Sequence, residues 1–241
     1  MSIPWNPPRE RSAISDQRGS PMGDRLIPLR RPPVLNYHDD PWVPDQVPLG
    51  LVDERWGALC ASNPKYFDGS IIHVLGVVRN GHGGVTIHVA RSSYRFYAVQ
   101  RTGIDTGTRP LGVKGLCRTP DGWLMGRRSD SVAFYPGQWE FVPGGSVPAG
   151  LAPADALSRE LAEESGWSSG GPARAVAVLY DPHAFSWEIV SVLDVEPSNL
   201  PPSQPWEYDE VAVIASGREP EPLAPVARAM IRLRDGLTDD K

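Results

Sequence analysis

The stretch "GGSVPAGLAPADALSRELAEESGW", Gly144 to Trp167, decides how the rest of the chain is read. Pro153 suits the first position of a helix and Gly166 its stop, so the residues between them predict a helix of roughly three turns. On such a helix Glu160, Glu163 and Glu164 stand at i, i+3 and i+4 and share an arc of roughly 100°. Leu157 and Leu161 fall beside that arc and can pack inward. Three like charges on one face repel by a few tenths of a kcal/mol per pair. A hard divalent cation would offset that repulsion, because it takes carboxylate and carbonyl oxygens and commonly bridges to substrate phosphates. The glycine pair just ahead of the helix leaves backbone exposed beside the acids, which suits phosphate chemistry. The plainer reading of the same helix is a solvated amphipathic face.

Strand patterns flank this segment on both sides. "LGVKGLCRT" (111–119), the turn "PDG" and "WLMGRRS" (123–129) read as a hairpin, and "GQWEFVPGG" (137–145) as a further strand ending at the glycine pair. Trp139 and Phe141, alternating with Glu140, read mainly as core. After the helix come "ARAVAVLY" (173–180), "WEIVSVLDVE" (187–196) and "VAVIA" (211–215) as strands, then a last helix around "PVARAMIRLRDG" (225–236). Upstream, "LVDERWGALCASNP" (51–64) has helical spacing at Leu51, Trp56 and Leu59. "GSIIHVLGVVRN" (69–80) and "GGVTIHVARSSYRFYAV" (83–99) read as strands joined by the turn cluster "RNGHGG", giving a helix plus a small antiparallel sheet.

Ten of the first fifty residues are proline, so residues 1–45 are expected to be an extended arm without regular hydrogen-bonded structure. Such an arm is either disordered or laid on a neighbouring surface through Trp5, Leu29, Val34, Tyr37 and Trp42. The expected organisation is therefore the arm (1–45), a small α+β domain (46–108) and a larger α/β domain (109–241).

Composition narrows the class of function. The formal charge of −5, with a pI near 5.6, supplies no broad basic field for nucleic acid. The two cysteines, Cys60 and Cys117, lie far apart, and the chain opens without an apolar signal core; the expected setting is the reducing cytoplasm. No apolar run reaches the roughly 18 residues of a membrane span. The five histidines are scattered without zinc-ligand spacing.

The residues around the acidic helix carry a resemblance. Gly145, five residues, Leu151, seven residues and then "RELAEESGW" (159–167) match the Nudix box, G-x5-E-x7-R-E-U-x-E-E-x-G-U, except that Leu151 stands where the first glutamate is expected. The chain thus resembles the Nudix hydrolases, which implies a Nudix α/β/α sandwich with a mixed sheet. It implies Mg²⁺ or Mn²⁺ bound by Glu160, Glu163 and Glu164 with help from the Gly145 carbonyl, and Arg159 bracing the acids. Arg159 is also i, i+4 from Glu163, where it can pair with it; a surface salt bridge of small worth is the plainer reading.

The N-terminal half, with "RWGALCASNPKYFDGSIIHV", "SSYRFYAVQRTG" and "GRRSDSVAFYPGQWEFVPGG" in that order, is similar to the animal Nudix hydrolases that cleave UDP-glucose and UDP-galactose. That resemblance implies a small nucleotide-linked substrate and hydrolysis of UDP-sugar to UMP and sugar 1-phosphate. ADP-ribose, dinucleotides and nucleoside triphosphates stand as rival substrates. Leu151 motivates a second class, a ligand-binding or regulatory module with weak or no turnover. Family members often take a further carboxylate from a loop beyond the box, and "QPWEYDEVAV" (204–213) offers Glu207 first and Glu210 second as general base, or else is a plain acidic loop. Arg127 and Arg128 are candidates for phosphate oxygens, at most one of them facing the site by strand alternation, unless both are exposed hairpin residues. Tyr94, Arg95 and Phe96 could stack on a base or simply pack in the core. A homodimer is compatible with the family; nothing in the residues requires one.

Overall fold

The computed structural model describes residues 25–64, 66–204 and 206–238. Its larger sheet is built from β1 (Arg25–Pro28), β5 (Leu111–Thr119), β6 (Gly122–Arg128), β7 (Trp139–Phe141), β8 (Gly144–Ser146), β9 (Trp167–Ser169), β10 (Arg174–Asp181), β11 (Ser186–Pro197) and β12 (Tyr208–Ile214). The main order is β1-β10-β11-β5-β6-β12, with β7 on β6, β8 on β5 and β9 on β11. β11 and β5 run parallel while the other pairs are antiparallel, so the sheet is mixed.

Helix α3 (Pro153–Ser165) covers one face of this sheet and α4 (Pro225–Thr238) the other. Alternation along β5 feeds both layers: Leu111 and Val113 join Leu157 and Leu161 of α3, whereas Leu116 joins Val226, Met230 and Leu233 of α4. Each fully buried leucine contributes about 1.5–3 kcal/mol through its removal from water. Helix α3 starts with Pro153 in its first turn and stops at Gly166, whose φ of 70° is left-handed, as its sequence predicts.

A second sheet, β2 (Val34–His38), β4 (Val85–Ser93) and β3 (Ser70–Arg79), packs with α1 (Leu49–Ser62) and the short α2 (Tyr94–Ala98) ahead of the larger sheet. It is mixed rather than antiparallel, because β2 joins β4 in parallel.

Several expectations are corrected here. Residues 1–24 of the expected arm lie outside the described residues, but 25–38 supply two strands. The prolines do not prevent this, since β1 and β2 are edge strands of their sheets and Pro28 closes β1. Leu29 and Ile27 are buried in the chain's own core. The strand expected through "SSYRFYAV" ends at Ser93 and turns helical at Tyr94. There the Asp68 carboxylate accepts hydrogen bonds from the Ser93 hydroxyl (2.5 Å) and the Arg95 backbone N–H (2.9 Å), a cap from a distant loop. "GQWEFVPGG" is broken at Pro143 into β7 and β8.

The break positions the site. β5 and β6 pair only beside their turn, at Arg118–Trp123 and Thr119–Gly122. Beyond it they separate, β8 pairing with β5 and β7 with β6, and a cleft opens along the line of separation.

Candidate active site

The cleft holds a cavity of about 320 Å³. Glu160 of α3, Glu140 of β7, Glu188 of β11 and Glu207 ahead of β12 line it together with Lys114 and Arg128, and Tyr94, Tyr97 and Arg101 close it from the N-terminal unit.

Helix α3 presents Glu160 to the cavity, while Glu163 and Glu164 stand outside its lining, and the three acids are held differently. Glu160 lies against the backbone of β8: a methyl group at Gly145 would stand 2.6 Å from its Cδ, so the approach requires glycine. Arg159 donates to Glu160 at 2.7 Å and is 3.6 Å from Glu163, so the expected i, i+4 partner is the more distant one. Glu163 accepts from the Gln204 side chain at 2.6 Å. Glu164 is 3 % exposed and accepts the Gly144 N–H at 3.2 Å, while its Oε1 is buried without a hydrogen-bond partner among the described residues.

Burial holds Glu160 above the ordinary carboxylate range, with the Arg159 hydrogen bond pulling the other way. Glu164 is pushed well up, by burial first and the charge of Glu207 second. Among the described residues no three His, Cys, Asp or Glu side chains converge into a ready metal cage. The donors nevertheless fit a hard cation: carboxylate oxygens next to a glycine backbone, one of them buried and unpaired, with neighbouring acids that raise one another's proton affinity.

Beneath these acids lies a network of buried charges. Glu140, 2 % exposed, accepts from Lys114 Nζ at 2.5 Å and from the Tyr208 hydroxyl at 3.0 Å. Arg128 Nη1 stands 3.3 Å from Glu140 and donates to Glu207 at 3.0 Å. Burial pushes Glu140 up, but Lys114 and Arg128 outweigh it and the carboxyl sits below its ordinary value. Glu188 accepts from Ser186 at 2.6 Å and is pushed up to about 7 by burial, against the pull of Lys114. It fits only because Gly112 faces it, where any Cβ would overlap the carboxylate.

The candidates read from the sequence divide accordingly. Glu160, Gly145, Arg128, Glu207 and Tyr94 line the cavity. Arg127 pairs with Asp209 at 3.0 Å on the exposed side of the hairpin, and Glu210 is exposed opposite Arg127, both outside the cavity lining. Arg95 is held by Asp53 and Asp68, and Phe96 is 4 % exposed in the core with Val52 and Val99; neither lines the cavity. Leu151 packs against the core cluster that contains Leu157 and Leu161, an apolar role for the position where the box expects an acid.

Lys114, Glu140, Glu188 and Tyr208 were not expected at the site. The available signal was a lone charge inside an otherwise apolar buried strand, in "GVKGL", "WEF" and "SWEIV", where burial without a partner would be costly.

A mixed sheet between two helices, with a glycine loop feeding an acidic helix at its cleft, defines a Nudix-type α/β hydrolase. The NUDIX domain family model matches residues 108–233, and the chain belongs to that family. Solved structures similar to it include a MutT Nudix hydrolase from Burkholderia pseudomallei, at 20% identity and TM-score 0.43 over 51% of this chain and 95% of that one. A MutT protein from Methanosarcina mazei matches at 21% identity and TM-score 0.42, over 54% and 95%. A bifunctional NMN adenylyltransferase/ADP-ribose pyrophosphatase from Francisella tularensis, complexed with AMP and a Mn ion, matches at 15% identity and TM-score 0.43, over 58% and 46%. No curated protein matches the chain.

Proposed function

We propose that this hydrolase cleaves the pyrophosphate bond of a nucleoside diphosphate-linked substrate, a UDP-sugar before others, giving UMP and sugar 1-phosphate with the uptake of one water. The observation that carries the reading is the meeting of Glu160 and Glu207 at a cavity that also presents Arg128 and Lys114, with Glu164 buried behind its Gly144 wall and within the electrostatic reach of both acids. Acids for a cation and bases for phosphate oxygens occur there side by side. Mg²⁺ or Mn²⁺ would be held by Glu160, Glu163 and Glu164 with the Gly145 carbonyl, and when bound supplies charge neutralisation on the phosphates.

The protein's own groups divide the remaining work. Arg128, fixed between Glu140 and Glu207, presents a preoriented guanidinium to phosphate oxygens. Glu207 takes the proton of the attacking water, and is favoured over Glu210 because it lines the cavity. Arg159 keeps Glu160 and Glu163 apart from one another's full charge.

The test is incubation with Mg²⁺ and a panel of UDP-sugars, ADP-ribose, dinucleotides and nucleoside triphosphates, scored by mononucleotide release. UMP release from UDP-sugars in preference to the rest is the expected result. Preference for another panel member replaces the substrate, and tight binding without turnover makes the chain a regulatory module.

A further inference from the structure

The reaction cavity continues into a second space. A groove of about 690 Å³ runs between the N-terminal unit and the Nudix domain, and Tyr94, Arg101, Val132, Ala133 and Trp206 line both it and the cavity. The two are opposite in character. The cavity is lined by Glu140, Glu160, Glu188 and Glu207, whereas the described residues lining the groove include no carboxylate, and Arg101 alone carries charge there. Phe67 and Trp206, both in the groove, are 77 % and 58 % exposed. Two large aromatic faces left open to water along a concave wall mark a binding surface rather than core.

We propose that this groove seats the substrate's nucleobase, with Phe67 and Trp206 as stacking faces and Arg101 as a hydrogen-bond donor, so that the N-terminal unit selects the base. The inference rests on the substrate class proposed above and names which end of the substrate each space takes. A base is flat and apolar on its faces, with donors and acceptors at its edge, and matches an aromatic groove whose described lining holds no carboxylate; the diphosphate needs the end that can hold a cation. A sugar presents hydroxyls all around its ring and would set some of them against Phe67, Ile71, Val132 and Ala133, whereas a base needs the groove's polar groups, such as Asn63, Ser131 and Arg101, only at its edge. Arg101 is positioned for the edge of the ring: its guanidinium donates to the Tyr66 hydroxyl at 2.7 Å and lies 6.0 Å from the Phe134 ring, which fixes it at the junction of the two spaces.

The test is calorimetric binding of UMP, AMP, glucose 1-phosphate and inorganic pyrophosphate to the full chain in the presence of a chelator, which separates it from turnover. Phe67→Ala and Trp206→Ala should each weaken a nucleoside monophosphate by about tenfold, as expected for loss of a stacked base, and leave pyrophosphate and glucose 1-phosphate within twofold. Unchanged monophosphate affinity, an equal loss for pyrophosphate, a loss confined to glucose 1-phosphate, or no monophosphate binding by the native chain would each overturn the assignment. If monophosphates bind this way and no panel member is hydrolysed, the groove stands and the proposed reaction falls.

Discussion

At the scale of single residues, the site holds Glu164 and Glu188 in surroundings that oppose their ionised forms, whereas Glu140 is held ionised by Lys114 and Arg128. Glu164 and Glu188 are carboxyls whose proton affinity is raised by burial, Glu188 to about 7 against an ordinary 4.5. A carboxyl raised in the folded state binds more protons there than in the unfolded chain. Stability from it is therefore full below the ordinary value and is lost as pH rises through the raised one. Glu188→Gln abolishes that loss. The melting temperature of the variant relative to the native protein should increase from pH 4.5 to about pH 7 and level off above it; a difference independent of pH would show that Glu188 ionises as an exposed acid does. Glu164→Gln should move in the same direction while turnover falls by orders of magnitude, the combination of gained stability and lost activity that marks a functional group. Glu207→Gln should lower kcat by about 10²–10⁴, and Glu210→Gln should leave it within a few-fold, both read in steady-state assays. Equal mild effects would remove Glu207 from the mechanism.

At the scale of elements, the helix and its glycine loop act as one unit, and the unit was legible because its signals are local. Pro153, Gly166 and the spacing of Glu160, Glu163 and Glu164 all lie within 14 residues, and the observed α3 follows them. Helix α2 was not legible, since its first turn is capped by Asp68, whose approach depends on the tertiary fold. β1 and β2 were hidden by proline content, which weighs against strands in general yet is tolerated at edges. The glycines separate by what they touch. Gly145→Ala would press a methyl group into Glu160, and overpacking of this kind costs about 1–3 kcal/mol. Gly57, inside α1, has no atom within 4 Å of an added Cβ, and Gly57→Ala should stabilise by about 0.5–1 kcal/mol. Urea unfolding of the two variants checks the contrast, and similar shifts would mean that β8 and Glu160 move apart freely.

At the scale of the whole molecule, the buried charge network was beyond the sequence for a topological reason. Lys114, Glu140 and Glu188 come from β5, β7 and β11 and meet at one cleft where β5 separates from β6, with Tyr208 of β12 joining them through its hydrogen bond to Glu140. The same long-range assembly bears on how the chain unfolds. Sequence pattern divides near residue 108, yet Ile72, Val74, Ile87 and Val89 of the small sheet share one apolar cluster with Leu111, Val113 and Leu157 of the Nudix domain. Polar ties run alongside: Arg109 N–H donates to His73 at 3.0 Å, Val74 N–H to the Arg109 carbonyl at 2.8 Å, and the Tyr97 hydroxyl to the Ala184 carbonyl at 2.8 Å. The connection between β1 and β2 spans residues 29–33, which ties an edge strand of each sheet to the other. Domains that share only a polar interface unfold separately, whereas a common apolar core couples them. Calorimetry should therefore give one transition whose van't Hoff and calorimetric enthalpies agree. Ile72→Ala, at a position 1 % exposed, should lower the stability of the entire chain by about 2–5 kcal/mol, moving tryptophan fluorescence and far-UV dichroism together. Two resolved transitions, with only the earlier one shifted by the substitution, would mean that the N-terminal unit folds by itself and lends the groove to an independent Nudix domain.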